Sequence, residues 1–404
     1  MSSKKVNKKI IKNKLWFLSQ QLIFTGIPII VSIVLFYVNN EYKTELSNNK
    51  CESSIQNCKS QAPKYCIFVE DNNTYVLEAA EKVFELLGLE KVEFFNKSEV
   101  NRDCSLFWTY DYPFHYDFNM ENLEYHQRVN HFPGNVGLIS KSTLGTTTDS
   151  KYIPKAFTSS DDLQKYAEKY PDKRFVQKFY SNRGVELKKA SEMNFTESFD
   201  DGNFFGQEFI ENPLLFEGHK FDFGVYVVIT SVNPLRFYYY NDNIFIRLCS
   251  RPYDYNNFDD LRTYVINNEH ITGSNFEKIE EYYDKSYSYK AAMNDYFTEK
   301  GYDMNKVWNQ VEDCIRSVVV SRNHFFMDEL KYYKSKFSFF ELYRFDMILD
   351  DALNLYLLEA NQSPTIYAST FKYKNRQMYE NVVYSTMNLV GIGSPLKRSS
   401  FESM

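Results

Sequence analysis

Two acidic side chains and one amide near the C-terminal end set the chemistry open to this sequence: Asp346 in FFELYRFDMILD, and Glu359 with Asn361 in LNLYLLEAN. Carboxylates at adjacent strand ends, with an amide oxygen beside them, supply the hard oxygen ligands that magnesium and metal-bound phosphates require. Glu359 interrupts an apolar run, where an acid is costly unless it is paired or metal-bound. That favours a ligand role over a solvated hairpin end. Upstream stand the cations a phosphate site needs: Lys178 on a predicted strand, Arg183 and Gly184 in the turn after it, Lys220, and Arg236 at the start of another strand. Strand-borne lysines ahead of a C-terminal carboxylate cluster match a nucleotide held between two sheets.

These residues need elements to position them. KYCIFVED reads as a buried strand, VLEAAEKVFELLGL has apolar residues at helical spacing, and CSLFWTY reads as another strand, a strand–helix–strand start. RFVQKFY and GVELKKA read as strands around a short polar turn, and FDFGVYVVITS with PLRFYYYNDNIFIRL alternates around an Asn-Pro turn. Residues 303–322 have the spacing of an amphipathic helix, and the Asp346 and Glu359 strands are joined at Asp350-Asp351-Ala352. The predicted class is α+β.

Longer stretches point further. GQEFIENPLLFEGHKFDFGVYVVITSVNPLRFYYYNDNIFIRL, followed by FELYRFDMILDDALNLYLLEANQSPTI, resembles the tubulin–tyrosine ligase-like family of ATP-grasp ligases, and QRVNHFPG and SLFWTY resemble its N-terminal part. The resemblance covers residues 64–395. It implies an ATP-grasp-like ligase of the tubulin polyglutamylase type using ATP and Mg2+, with tubulin or microtubules, or another acidic protein, as substrate and free glutamate as the amino acid. By the same resemblance Gln207, with the strand Glu208, Phe209 and Ile210, faces the adenine; Lys178 and Lys220 touch phosphates; Asp222 shapes the site; Arg236 stabilises the transferring phosphate; and Asp346, Glu359 and Asn361 hold the metal. The sequence departs from the family at two places. Its K-F-D-x-R pattern reads Lys220-Phe221-Asp222-Phe223-Gly224, so an arginine expected near the terminal phosphate is a glycine, and its H-L-T-N stretch reads Asp260-Leu261-Arg262-Thr263, where Arg262 is a candidate replacement.

The implied organisation is a basic segment (1–14), one transmembrane signal anchor (15–38), a polar linker (39–63), an N-terminal subdomain (64–150), a central ATP-grasp subdomain (151–210), a C-terminal one (211–395) and a tail (396–404). Residues 15–38 contain no charged side chain and are long enough to cross a bilayer. Six lysines precede them (Lys4, Lys5, Lys8, Lys9, Lys12 and Lys14), which keeps the N-terminus cytosolic and places the ligase domain in the lumen or outside the cell. Asn-x-Ser/Thr triplets at Asn72, Asn96 and Asn194 agree with that side, whereas tubulin as substrate requires the other. The net charge of −6 argues against nucleic acid as a partner. None of the six cysteines forms a C-x-x-C pair, and the nearest two, Cys51 and Cys58, are candidates for a disulfide outside the cytosol. Arg322, Lys331, Lys334 and Lys336, or Lys372, Lys374 and Arg376, are candidate docking cations for an acidic tail. Two other readings stay open: a nucleotide-binding membrane adaptor impaired by Gly224, and a lumenal ligase acting on secretory proteins.

Overall fold

Three sheets follow one another along the chain. The computed structural model describes residues 62–403, apart from 72, 94–99, 101–103, 148–149, 180–184, 194, 196–203, 257–258, 267–268, 367–372 and 393–400. Residues 15–38, the sequons' asparagines, Arg183, Gly184, Lys372, Cys51 and Cys58 lie outside the described residues. Among those described, no helix is long and apolar enough to cross a membrane.

The first sheet is parallel, in the order β2-β1-β3-β4, with β1 Lys64–Phe68, β2 Glu90–Lys91, β3 Leu106–Thr109 and β4 Arg128–Val129. Helix α1 (Glu78–Leu86) crosses over after β1 and buries Ala79, Ala80, Val83 and Phe84. Gly88, at φ +80, lets the chain turn sharply past the helix end. A disulfide joins Cys66 to Cys104, 38 residues apart, a pairing the irregular cysteine spacing did not reveal.

The QRVNHFPG segment is a structural joint between this sheet and the rest of the fold. The Asn130 side chain exchanges two hydrogen bonds of 2.8 Å with the Thr109 main chain. His131 Nδ1 lies 2.7 Å from Glu341 Oε1, both side chains fully buried, and Glu341 Oε2 accepts from the Phe132 amide at 2.9 Å. Removing the Glu341 carboxylate leaves the His131 ring and the Phe132 amide buried without the acceptor they share. Glu341→Ala is therefore expected to lower stability by about 1–3 kcal/mol for each of the two groups, measured by denaturant unfolding, with Glu341→Gln milder because its carbonyl can still accept from Phe132.

Short helices α2 (Val136–Ile139) and α3 (Lys141–Thr147) lead to the second, antiparallel sheet: β5 Ala156–Phe157, β6 Phe175–Phe179, β7 Val185–Lys188 and β8 Phe204–Glu208, in the order β5-β8-β6-β7. Helix α4 (Ser160–Lys169) follows β5, capped by Ser159 accepting from the Asp162 amide.

The third sheet is built on one long strand. After β9 (Leu215–Phe216), β10 (His219–Val232) pairs with β14 (Glu341–Leu349) along one edge, and β14 pairs with β15 (Leu355–Gln362). Its other edge is divided between β12 (Phe245–Leu248) and β11 (Leu235–Tyr240), with β13 (Ile271–Thr272) and β16 (Phe401–Ser403) outermost. Side chains alternate across a sheet, and β10 uses both faces. Phe221, Phe223, Val225, Val227 and Ile229 enter the main core with Phe345, Met347 and Leu357. Against them pack helices α5 (Glu277–Ser286), α6 (Tyr289–Glu299) and α7 (Met304–Leu330). On the opposite face, Tyr226 and Val228 are covered by helix α8 (Tyr373–Leu389) through Met378, Tyr379, Val382 and Val383. Further toward the start of β10 that face carries Lys220 and Asp222 instead.

Helix α7 runs eight residues past the predicted end at residue 322, because Arg322, Phe326 and Leu330 continue its buried stripe at i, i+4. Arg322 is thus buried rather than a docking cation, and Lys374 and Arg376 are engaged within the chain by Glu280 and Asp284, and by Glu78 and Glu380. Lys334 meets Glu124 at 3.3 Å; Lys331 and Lys336 are exposed.

Candidate active site

The charged half of the third sheet faces the second sheet across a cavity of about 820 Å3. Strand register places its groups. Asp222 pairs with Arg247 across β10 and β12, Gly224 with Asp346 across β10 and β14, and Asp346 with Glu359 and Arg344 with Asn361 across β14 and β15. All project from one face, because neighbours across a ladder share a face and residues two apart return to it. Between Asp346 and Met347 the register shifts and Leu358 becomes the extra residue, a bulge of the kind found beside functional sites. Leu358 and Glu359 both reach the cavity wall as a result.

The hub is Arg247. It donates to Asp222 through Nε (2.9 Å) and Nη2 (2.7 Å), and Nη2 also reaches Asp346 Oδ2 at 2.7 Å. Asp346 further accepts from Arg344 Nε (2.6 Å) and Nη2 (2.8 Å) and from Asn361 Nδ2 (2.9 Å). Glu359 is paired with Lys141, the first residue of α3, at 2.7 Å, and accepts from Asn361 at 3.1 Å. Burial alone would raise the Glu359 carboxyl, but Lys141 and Asn361 hold it well below the usual range, so it is ionised at neutral pH. Burial pushes Asp222 up to about 6 in spite of Arg247, with the charge of Asp346 adding to the rise.

Two lysines complete the cluster. Lys220 is buried on β10 with its ammonium 4.4 Å from the Phe209 ring centroid, and Lys178 on β6 donates to Gln207 Oε1 at 2.7 Å. Desolvation pushes both ammonium groups down to about 8; for Lys178 the charge of Glu359 opposes the fall while Lys141 and Lys220 reinforce it. Five cations (Lys141, Lys178, Lys220, Arg247 and Arg344) stand with Asp222, Asp346 and Glu359, and the fourth carboxylate on the wall, Glu208, is met by Lys173 at 3.3 Å, which leaves a positive surplus suited to a polyanion. If both lysines must be charged to hold phosphates, nucleotide affinity is expected to fall about 100-fold between pH 7 and pH 9, roughly tenfold for each lysine deprotonated. Calorimetric titration with a non-hydrolysable nucleotide across that range measures it; charge on these groups is present below pH 8 and lost above.

Beyond the lysines the cavity turns apolar. Val176, Val185, Phe209, Tyr264 and Val265 pack as one cluster on its wall, a slot suited to a flat base. Gln207 borders the cavity, but its side chain is committed, accepting from Lys178 and donating to the Pro154 carbonyl at 3.0 Å, so it positions the lysine rather than offering a free amide. Glu208 and Ile210 also border it; the Glu208 carboxylate accepts from Tyr166 Oη and the Lys155 amide.

The donor set fits a magnesium ion shared with phosphates, which takes one or two protein carboxylates and completes its shell with phosphate and water oxygens. Asp346, Glu359 and Asn361 are in mutual contact through Asn361. Among the described residues no group of three or more His, Cys, Asp or Glu side chains forms a cage that could hold a metal alone.

Two predicted participants stand elsewhere. Arg236 is exposed at the far end of the β10–β11 hairpin, opposite Ser231, seven residues along β10 from Gly224. Arg262 turns to its own neighbour Asp260, at 2.8 and 3.0 Å, and of that stretch it is Leu261 that borders the cavity. Arg247, Lys141 and Arg344 were missed. Arg247 and Arg344 carry the same signal as Glu359, a charge interrupting an apolar strand; Lys141 has no local signal.

Comparison with known proteins bears on this geometry. The profile of the tubulin-tyrosine ligase family matches residues 118–399. A Caenorhabditis elegans protein named probable tubulin polyglutamylase ttll-15 is 33% identical over 330 residues, covering 79% of this chain and 62% of that protein. Tubulin polyglutamylase TTLL6 of Mus musculus is 28% identical over 326 residues, covering 75% of this chain and 38% of its own length. The chain thus spans less than two thirds of these relatives. The Lys220-to-Asp222 motif and the Asp346/Glu359/Asn361 cluster lie in the matched region, and the chain belongs to the tubulin-tyrosine ligase family.

Proposed function

We propose that this protein is an ATP-dependent ligase that joins glutamate to a side-chain carboxylate of a protein, with an acidic tubulin tail as the acceptor. The observation that carries the reading is the pairing of a buried lysine, Lys220, and a half-buried one, Lys178, with the Asp346–Glu359–Asn361 corner across a cavity of nucleotide size. Lys178 and Lys220 would hold phosphate oxygens, the apolar wall around Phe209 and Tyr264 the base, and Asp346, Glu359 and Asn361 the magnesium ion. ATP bound there supplies the phosphoryl group that turns the acceptor carboxylate into an acyl phosphate. The glutamate amine then attacks that carbonyl carbon, the C–N bond forms, and phosphate leaves with the electron pair of the broken C–O bond. The chain's own part is placement and charge: the cations offset negative charge as the phosphoryl group transfers. Incorporation of labelled glutamate into purified tubulin by the full chain, with ATP and magnesium, tests it; incorporation that persists without ATP overturns it.

A second reading concerns the compartment, and the Cys66–Cys104 disulfide favours it. Disulfides persist in oxidising compartments and are rare in the cytosol. With residues 15–38 as a membrane anchor and lysines ahead of it, this bond supports a lumenal ligase domain whose acceptor is an acidic secretory protein. A glycan on Asn194 of the expressed protein would support this orientation, and free thiols at residues 66 and 104 in cells would remove its basis.

A further inference from the structure

The sequence lacks the arginine expected at position 224, yet the side chain of another arginine lies across that space. Gly224 sits directly opposite Asp346 on the charged face. A Cβ at residue 224 would lie 2.6 Å from Arg344 Cδ and 2.8 Å from Cγ, closer than real Cβ contacts allow, and 3.0 Å from Nε. The Arg344 stem therefore lies across residue 224 because that residue is glycine, and a side chain at 224 would displace it. From there the guanidinium turns along the face, with its carbon 5.1 Å from the Phe245 ring centroid, and grips both oxygens of Asp346. Phe245 is the partner of Gly224 on its other side, so the group is walled by the two neighbours of the vacant position.

We infer that Arg344 is a positioning residue that supplies, from β14, the cation absent from β10, and that the site is complete rather than impaired. Among the described residues, Asp346 Oδ2 accepts three hydrogen bonds, from Arg344, Arg247 and Asn361, whereas Oδ1 accepts only that from Arg344 Nε. A carboxylate has about four acceptor sites. The two-pronged hold thus fixes the carboxylate plane and leaves Oδ1 with capacity for a cation. A lysine, a point charge with no fork, would not fix that plane. The inference rests on the ligase reading for its activity test but has a separate binding test.

Four full-length proteins decide it: Arg344→Gly, Gly224→Arg, the double variant and Arg344→Lys. Arg344→Gly is expected to lower glutamate incorporation about 100-fold, mainly in kcat, and to raise about tenfold the magnesium concentration that half-saturates binding of a non-hydrolysable ATP analogue. Gly224→Arg alone should be impaired by crowding, and the double variant should recover to within about tenfold of the parent in both readouts. Arg344→Lys should fall between, and decides the matter if Arg344→Gly does not fold. Unchanged magnesium dependence in Arg344→Gly, or in a folded Arg344→Lys, overturns the inference; so does a folded double variant no better than Arg344→Gly. Should the parent protein incorporate no glutamate at all, the ligase reading fails, and the magnesium dependence still tests Arg344.

Discussion

Glu359→Gln should lower glutamate incorporation on the order of 10^3-fold while leaving the protein folded. The substitution keeps the shape and one acceptor oxygen but removes the charge that Lys141 meets at 2.7 Å. Three consequences follow together. The proposed metal loses a charged ligand, Lys141 is released toward the cavity, and the Asn361 amide keeps an oxygen to donate to. A released Lys141 adds positive charge where phosphates are proposed to sit, so nucleotide binding should persist even as turnover collapses. Labelled-glutamate incorporation, nucleotide titration and thermal melting on the same preparation separate these effects. Parallel loss of nucleotide binding and turnover would show that Glu359 acts on binding instead.

Arg247→Ala should cost about 3–5 kcal/mol of stability in addition to activity. Arg247 bridges Asp222 and Asp346, and its removal leaves two buried carboxylates, Asp346 with Arg344 still in contact and Asp222 without the guanidinium it had. The deficit has a pH signature. Asp222 already sits at about 6 beside Arg247, and losing that cation moves it higher. A carboxyl whose folded-state pKa is raised binds protons more tightly folded than unfolded, so its stability contribution is present at low pH and lost as pH rises through the folded value. The gap between Arg247→Ala and the parent protein should therefore narrow below about pH 6 and be widest above neutrality, as read from denaturant midpoints at several pH values. A gap independent of pH would assign the loss to packing.

Much of this was legible in the sequence, and the part that was not has physical causes. The apolar-rich runs FDFGVYVVITS and FELYRFDMILD identified the central strands, and the cost of burying an acid singled out Glu359. The same cost applies to Arg247 in IFIRL and Arg344 in LYRFD, yet an arginine's long stem allows a surface reading that a glutamate in an apolar run does not. Arg236 shows the converse. Its place at a strand start looked suitable, but the fourteen-residue length of β10 carries it to the opposite end of the sheet, which only strand register reveals. Lys141 enters from a helix joined to the site by tertiary packing alone. The polar segment around His131 was tied to the family by resemblance; that its side chains bind Thr109 and Glu341 required coordinates.

The surplus of cations over carboxylates in the cavity has a consequence for the protein's lifetime. Buried like charges repel, and a polyanion that neutralises them binds the folded chain and not the unfolded one. Such a ligand adds RT ln(1 + [L]/Kd), about 2.7 kcal/mol at a hundredfold excess over Kd. The fraction of molecules open to proteases at any moment would then track the nucleotide supply of the compartment. With the proposed nucleotide as that ligand, starvation would clear the protein, so its abundance would report the energy state around it.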